Sequence, residues 1–143
     1  MAKSVVAFSL EEFDTSYTRV LIGNANFRYY DFTNLGTLEL IQGGADFFNS
    51  GVKSLGNLTT INGNADFEKS IVENLGKLTT IGGDVSFFNS KVKSLGNLTT
   101  IKGIAYFQNS QVESLGNLTT IGGGVYFGDR TDLEAEWKKR NNK

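Results

Sequence analysis

The chain repeats itself every twenty residues, and no insertion breaks the register. Leu35, Leu55, Leu75, Leu95 and Leu115 are each followed by glycine, at 36, 56, 76, 96 and 116. Leu38, Leu58, Leu78, Leu98 and Leu118 come next, then Ile41, Ile61, Ile81, Ile101 and Ile121, and glycine at 43, 63, 83, 103 and 123 closes a turn. A small residue paired with phenylalanine follows, from Ala25/Phe27 through Ala65/Phe67 and Val85/Phe87 to Val125/Phe127. Val52, Val72, Val92 and Val112 complete each unit. A fixed period in this range marks a solenoid, in which each unit buries its apolar side only by stacking on its neighbours.

Within a unit, Val85-Ser86-Phe87 and its equivalents alternate in the two-residue rhythm of a strand, which predicts the Ala or Val and the Phe inward and their neighbours outward. Six such strands in register predict a parallel sheet with a spacing of about 4.8 Å. Glycine at fixed places in every unit serves positive φ or close approach of coils. The chain has no proline, consistent with turns built from Gly, Asn and Ser.

The stretch from Val85 through Phe87 and Ser90 to Val92 fits the pattern L-x-L-x-x-N-x-L, with serine in the asparagine place. On these residues the chain resembles leucine-rich repeat proteins with short, bacterial-type repeats, and its L-x-x-I-x-G-x-V-x-F half is similar to the repeats of receptor L domains. The resemblance covers residues 20–129. It implies a right-handed, leucine-rich-repeat-like β-solenoid, with a parallel sheet on one face and turns or short extended segments behind. Two features depart from the pattern: Ser50, Ser70, Ser90 and Ser110 replace the asparagine ladder, and the unit is too short for a convex helix. A plain β-solenoid is the near neighbour of this reading.

The 143 residues, 39% apolar, are expected to form one domain. Residues 1–19 lose the period but keep Val5, Val6, Phe8, Leu10 and Phe13, as an N-terminal cap would. Residues 20–129 carry the repeats, and 130–143 read as a C-terminal capping helix and tail. There Thr131-Asp132-Leu133-Glu134 has the form of a capping box, Leu133 and Trp137 share a face at i, i+4, and Lys138, Lys139 and Arg140 suit a helix C-terminus.

With no histidine and no cysteine, the chain lacks the residues for thiol chemistry, disulfides, and histidine-based nucleophilic or zinc sites. A net charge of −1 points to no direct nucleic-acid or membrane partner. No stretch has transmembrane length, and the N-terminal residues lack a signal peptide's apolar run, so a cytoplasmic location is expected. No cofactor or metal is expected. Asp46, Asp66 and Asp84 on successive coils read as a solvated acidic face rather than a catalytic pair or cation site. The pairs Thr59/Thr60 through Thr119/Thr120 are not expected to form a flat array, because adjacent residues of an extended chain point different ways. Asn57, Asn97 and Asn117 begin glycosylation sequons that recur because the turn recurs.

Difference between coils is concentrated outside. One outward column reads Asn26, Asp46, Asp66, Ser86, Tyr106, Tyr126; the next reads Arg28, Phe48, Glu68, Phe88, Gln108, Gly128; the preceding one reads Asn24, Gly44, Asn64, Asp84, Ile104, Gly124. An acidic zone (Asp46, Asp66, Glu68, Asp84) passes into an aromatic one (Phe88, Tyr106, Tyr126), with Phe48 near the other end. Together with Ser86 and Gln108, these residues make the candidate surface. Aromatics beside charge suit recognition of a protein with a basic patch. The expected function is non-enzymatic binding of a macromolecule, such as a phage or mobile-element protein occupying the basic groove of a bacterial nucleic-acid-binding enzyme. The alternative is a structural module that stacks end to end or dimerises.

Overall fold

The computed structural model describes residues 5–30 and 32–141; the first four residues of the expected cap, Asp31, and the last two of the tail lie outside the described residues. Among the described residues, thirteen two-residue strands precede one helix. In chain order these are β1 (Val6–Ala7), β2 (Val20–Leu21), β3 (Ala25–Asn26), β4 (Leu40–Ile41), β5 (Ala45–Asp46), β6 (Thr60–Ile61) and β7 (Ala65–Asp66). They continue as β8 (Thr80–Ile81), β9 (Val85–Ser86), β10 (Thr100–Ile101), β11 (Ala105–Tyr106), β12 (Thr120–Ile121), β13 (Val125–Tyr126) and α1 (Thr131–Asn141).

The protein is a parallel β-solenoid. The expected six-stranded sheet is β3, β5, β7, β9, β11 and β13, paired in register twenty residues apart, as in Ala45 with Ala65 and Asp46 with Asp66. A second parallel sheet, of seven strands from β1 and β2 through the even-numbered strands to β12, stands where the resemblance implied turns or short extended segments. Isolated parallel bridges, Asn34 with Ser54 and Asn74 with Ser94, mark a third side. Each coil thus makes three runs around one core.

The corners explain the polar letters of the repeat. Asn34, Ser54, Asn74, Ser94 and Ser114 each accept the N–H of the glycine two residues on, at 2.7 to 3.1 Å. That glycine takes positive φ, from 55° to 63°. The same device recurs past the six-stranded sheet: Asn26, Asp46 and Asp66 accept the N–H of Arg28, Phe48 and Glu68 at 2.9 to 3.1 Å. Tyr29, Asn49 and Lys69 then take φ of 53° to 63°. Short polar side chains that bond the backbone two residues ahead are the usual makers of such turns.

Gly63 has a different reason to be glycine. A Cβ there would lie 2.6 Å from the Gly44 nitrogen, so the coils approach too closely for any side chain.

The core is a set of columns. Phe27, Phe47, Phe67, Phe87 and Phe107 are fully buried, and with Phe127 they stack ring on ring at centroid distances of 5.0 to 5.8 Å. Burying one such side chain contributes roughly 1.5–3 kcal/mol. The leucine, isoleucine and valine columns fill the remaining interior. Ser50 and Ser70 lie among them with Oγ atoms that have no hydrogen-bond partner among the described residues.

Both ends are capped. Phe13 meets Phe27 edge-on at 6.2 Å and Phe32 at 5.3 Å, closing the stack at its start. At the other end Leu133 is buried and Trp137 packs partly on the core, as their spacing predicts. The capping box is corrected: Thr131 is already helical, and the Glu134 N–H bonds the Arg130 carbonyl at 3.1 Å.

The threonine pairs also differ from expectation. Thr59 and Thr60, and the equivalent pairs in later coils, hold their hydroxyls 3.3 to 3.5 Å apart. Thr59, Thr79, Thr99 and Thr119 donate to the carbonyl twenty residues back, at 3.1 to 3.3 Å. That bond turns the first hydroxyl of each pair along the stack, and fixes threonine at this place in four coils running.

Candidate functional site

The candidate residues lie along the six-stranded sheet and the turn that follows it. Asp46, Asp66, Ser86, Tyr106 and Tyr126 end β5, β7, β9, β11 and β13, so the pleat points them away from the inward Ala or Val beside them. Phe48, Glu68, Phe88 and Gln108 follow the inward phenylalanines and open the turns. The structure brings these two columns together. It sets Asp84 apart, in the preceding column, where Oδ1 accepts the Ile104 N–H at 2.8 Å. Asn24 and Asn64 do the same for Gly44 and Asp84, so that column is a set of clamps between coils.

The acidic zone is divided by its own contacts. Asp46 accepts the Phe48 N–H through Oδ1 and forms an ion pair with Arg28 Nε at 2.7 Å through Oδ2. Asp66 has no ion pair among the described residues. Burial pushes its carboxyl above the usual range, opposed by the Glu68 N–H, and the facing Asp46 charge raises it further. Phe48 is half-buried, with the Arg28 guanidinium 4.6 Å and the Lys69 ammonium 5.6 Å from its ring centroid. Arg28 and Lys69 therefore bring two cations into a zone that the sequence reading treated as acidic. Lys69 follows Glu68 and faces Phe48 only because it occupies the left-handed corner position.

Beside Asp46 and Asp66 runs an open groove of about 570 Å³. Asn24, Asn26, Asp46, Asn64 and Asp66 stand around it, over a floor of Ala25, Gly43, Gly44, Ala45 and Gly63. It exists because the column Asn24, Gly44, Asn64 omits one side chain. A Cβ on Gly44 would lie 2.9 Å from the Asn64 carbonyl oxygen, so the gap is fixed by the backbone. The signal in the sequence is the pair Gly43-Gly44 between two polar coils.

The aromatic zone is continuous with this groove along the sheet. Tyr106 and Tyr126 stack at 5.1 Å, with Tyr126 51% exposed, and Phe88 is 38% exposed. Gln108 is half-buried between the Phe88 and Gly128 positions. Among the described residues no cluster of three or more acidic, histidine or cysteine side chains is placed to hold a metal ion, and no helix is long and apolar enough to cross a membrane. Of the sequon residues, Asn57 accepts the Lys77 ammonium at 2.9 Å.

Comparisons of the chain with protein-family models, with curated proteins and with solved structures return no match.

Proposed function

We propose that the protein is a non-enzymatic binding module that recognises a protein partner through the outer face of its six-stranded sheet. The observation that carries this is the placement of Asp66, without an ion pair among the described residues and at the rim of the groove, on the same face as the exposed Phe88 and Tyr126. A lysine or arginine of the partner entering the groove would neutralise Asp66 and relieve its repulsion with Asp46. The aromatic zone then supplies the apolar contact that carries most of the energy at protein interfaces. Gly43, Gly44 and Gly63 are half-buried and carry no side chain there, so a long side chain can lie flat. This geometry fits a basic surface such as the nucleic-acid groove of a bacterial enzyme, and a phage or mobile-element inhibitor is the role that such a fit suggests. A leucine-rich-repeat origin is compatible with that role, since repeats of this kind bind through a sheet face.

The test is capture from host lysate by the wild-type chain and by the double substitution Asp66→Lys with Glu68→Lys, at low and high salt. The reading expects a specific protein whose binding is lost on charge reversal and weakened by salt. Equal capture by both chains would overturn it.

A further inference from the structure

In the inner coils backbone groups that point along the stack bond to the next coil; in the last coil α1 takes that place, on one side only. There α1 stands in for a coil. Leu75 donates its N–H to the Ser94 carbonyl of the following coil at 3.1 Å, whereas Leu115 donates to the Glu136 carboxylate at 3.0 and 3.1 Å. The Ser70 carbonyl accepts the Lys91 N–H, whereas the Ser110 and Val112 carbonyls accept the Arg130 guanidinium at 2.8 and 2.6 Å.

Along β13 the last coil is handled differently. Ala105 and Phe107 donate to the Gly124 and Tyr126 carbonyls at 3.0 and 2.8 Å. Val125 and Phe127 occupy the same places one coil on, so their N–H groups point off the end of the stack. β13 is the edge strand of its sheet. Side chains mark the same edge: Ile101 and Val85 are fully buried, but Ile121 and Val125 are only half-buried, and Gly122, Gly123 and Gly124 are exposed. Natural sheet edges are usually blunted by lysine, proline or a covering element. β13 carries Val125 and Tyr126, and three consecutive glycines lead into it.

We propose that this edge docks one extended segment of another protein, which adds to the sheet as a strand beside β13. The occupant follows from α1. Because α1 takes the bonds that a further coil would take, it stands at the height of that coil on the third side. The end is therefore a notch one strand deep with a helix for its wall. A second solenoid end would meet α1 before its strands came within reach, whereas a single extended chain fits. Its carbonyls meet the Val125 and Phe127 N–H groups, and its alternate side chains, apolar like Ala105 and Phe107, cover Val125 and Phe127. This site is separate from the outer face of the sheet, and its fate is independent of the reading given above.

The probe is a synthetic peptide of residues 100–108, Thr-Ile-Lys-Gly-Ile-Ala-Tyr-Phe-Gln, which inside the protein already pairs with the coil that ends in β13. It is titrated into the full chain, with hydrogen exchange followed at the Val125 and Phe127 amides. Saturable binding is expected, with exchange at these two amides slowed about tenfold or more. The same peptide N-methylated at Tyr106, which removes the amide facing the Val125 carbonyl, is expected to bind about tenfold or more weakly. Because the protein is unchanged in that comparison, its folding is not in question. No saturable binding, equal binding of a scrambled or N-methylated peptide, or a doubling of mass by light scattering with both amides protected by a second copy would each overturn the proposal.

Discussion

The rings of Phe47 and Phe67 lie 5.0 Å apart and 7° from parallel, a separation set by the step between coils rather than by the rings themselves. Isolated aromatic pairs favour offset or edge-on contacts, and here the repeat holds six rings in one file. Phe67 is central, so truncation opens a cavity that two neighbouring rings cannot fill without leaving their own coils. Phe67→Ala is expected to destabilise by about 3–5 kcal/mol, read as a lower denaturant midpoint. A loss below about 1 kcal/mol would mean that the stack is not what holds the coils together.

Gly63 and Gly76 separate two uses of glycine. At Gly63 an added Cβ meets backbone at 2.6 Å; at Gly76 nothing lies within 4 Å, but φ is 58°. Gly76→Ala should cost about 1–2 kcal/mol, the strain of a left-handed residue. Gly63→Ala must push coils apart and should cost more. Thermal melts of the two variants check the order.

Asp66 makes stability depend on pH. Its folded pKa is raised above the ordinary aspartate value of 3.8, mainly by burial, so the folded state holds the proton more tightly than the unfolded chain. The contribution is fully present below pH 3.8 and is lost as pH rises through the folded pKa, leaving the ionised carboxylate destabilising at neutral pH. Asp66→Asn keeps the turn, as Asn26 does in its own coil. It is expected to raise the urea midpoint at pH 7 and to match wild type at pH 3. A wild type more stable than the variant at pH 7 would reverse the sign.

Arg130 joins the helix to the stack. Its guanidinium bonds the Ser110 and Val112 carbonyls and Asp132, whose carboxyl it holds below the usual range. Arg130→Ala leaves two carbonyls without their charged donor and should cost about 2–3 kcal/mol. Faster amide exchange in α1 than in β7 would locate the loss.

The buried columns were readable because each is written four to six times, and a stripe of Val, Leu, Ile or Phe at twenty-residue spacing has no other physical use. The Thr60–Ile61 sheet was harder to see, since its buried residues Leu58 and Ile61 are three apart and break the two-residue rhythm that Ala65 and Phe67 keep. Asp84 illustrates another limit: one position separates a carboxylate that faces solvent from one that clamps Ile104. Phe48 was legible as an outward aromatic, but not as a ring flanked by Arg28 and Lys69, because a left-handed corner decides where Lys69 goes. The helix cap misled for a simpler reason. Thr131 has the right chemistry, but Arg130 is already committed to the coil beneath it, and the helix starts one residue early.

The in-register pairing of coils has a metrical consequence. Asp66 and Tyr126 occupy one column three coils apart, which sets them about 14 Å from each other, three steps of a parallel sheet. A whole coil inserted between them would remake every column contact while lengthening that interval by one step. The stack is a ruler, and the spacing of its charged and aromatic marks is counted in repeats.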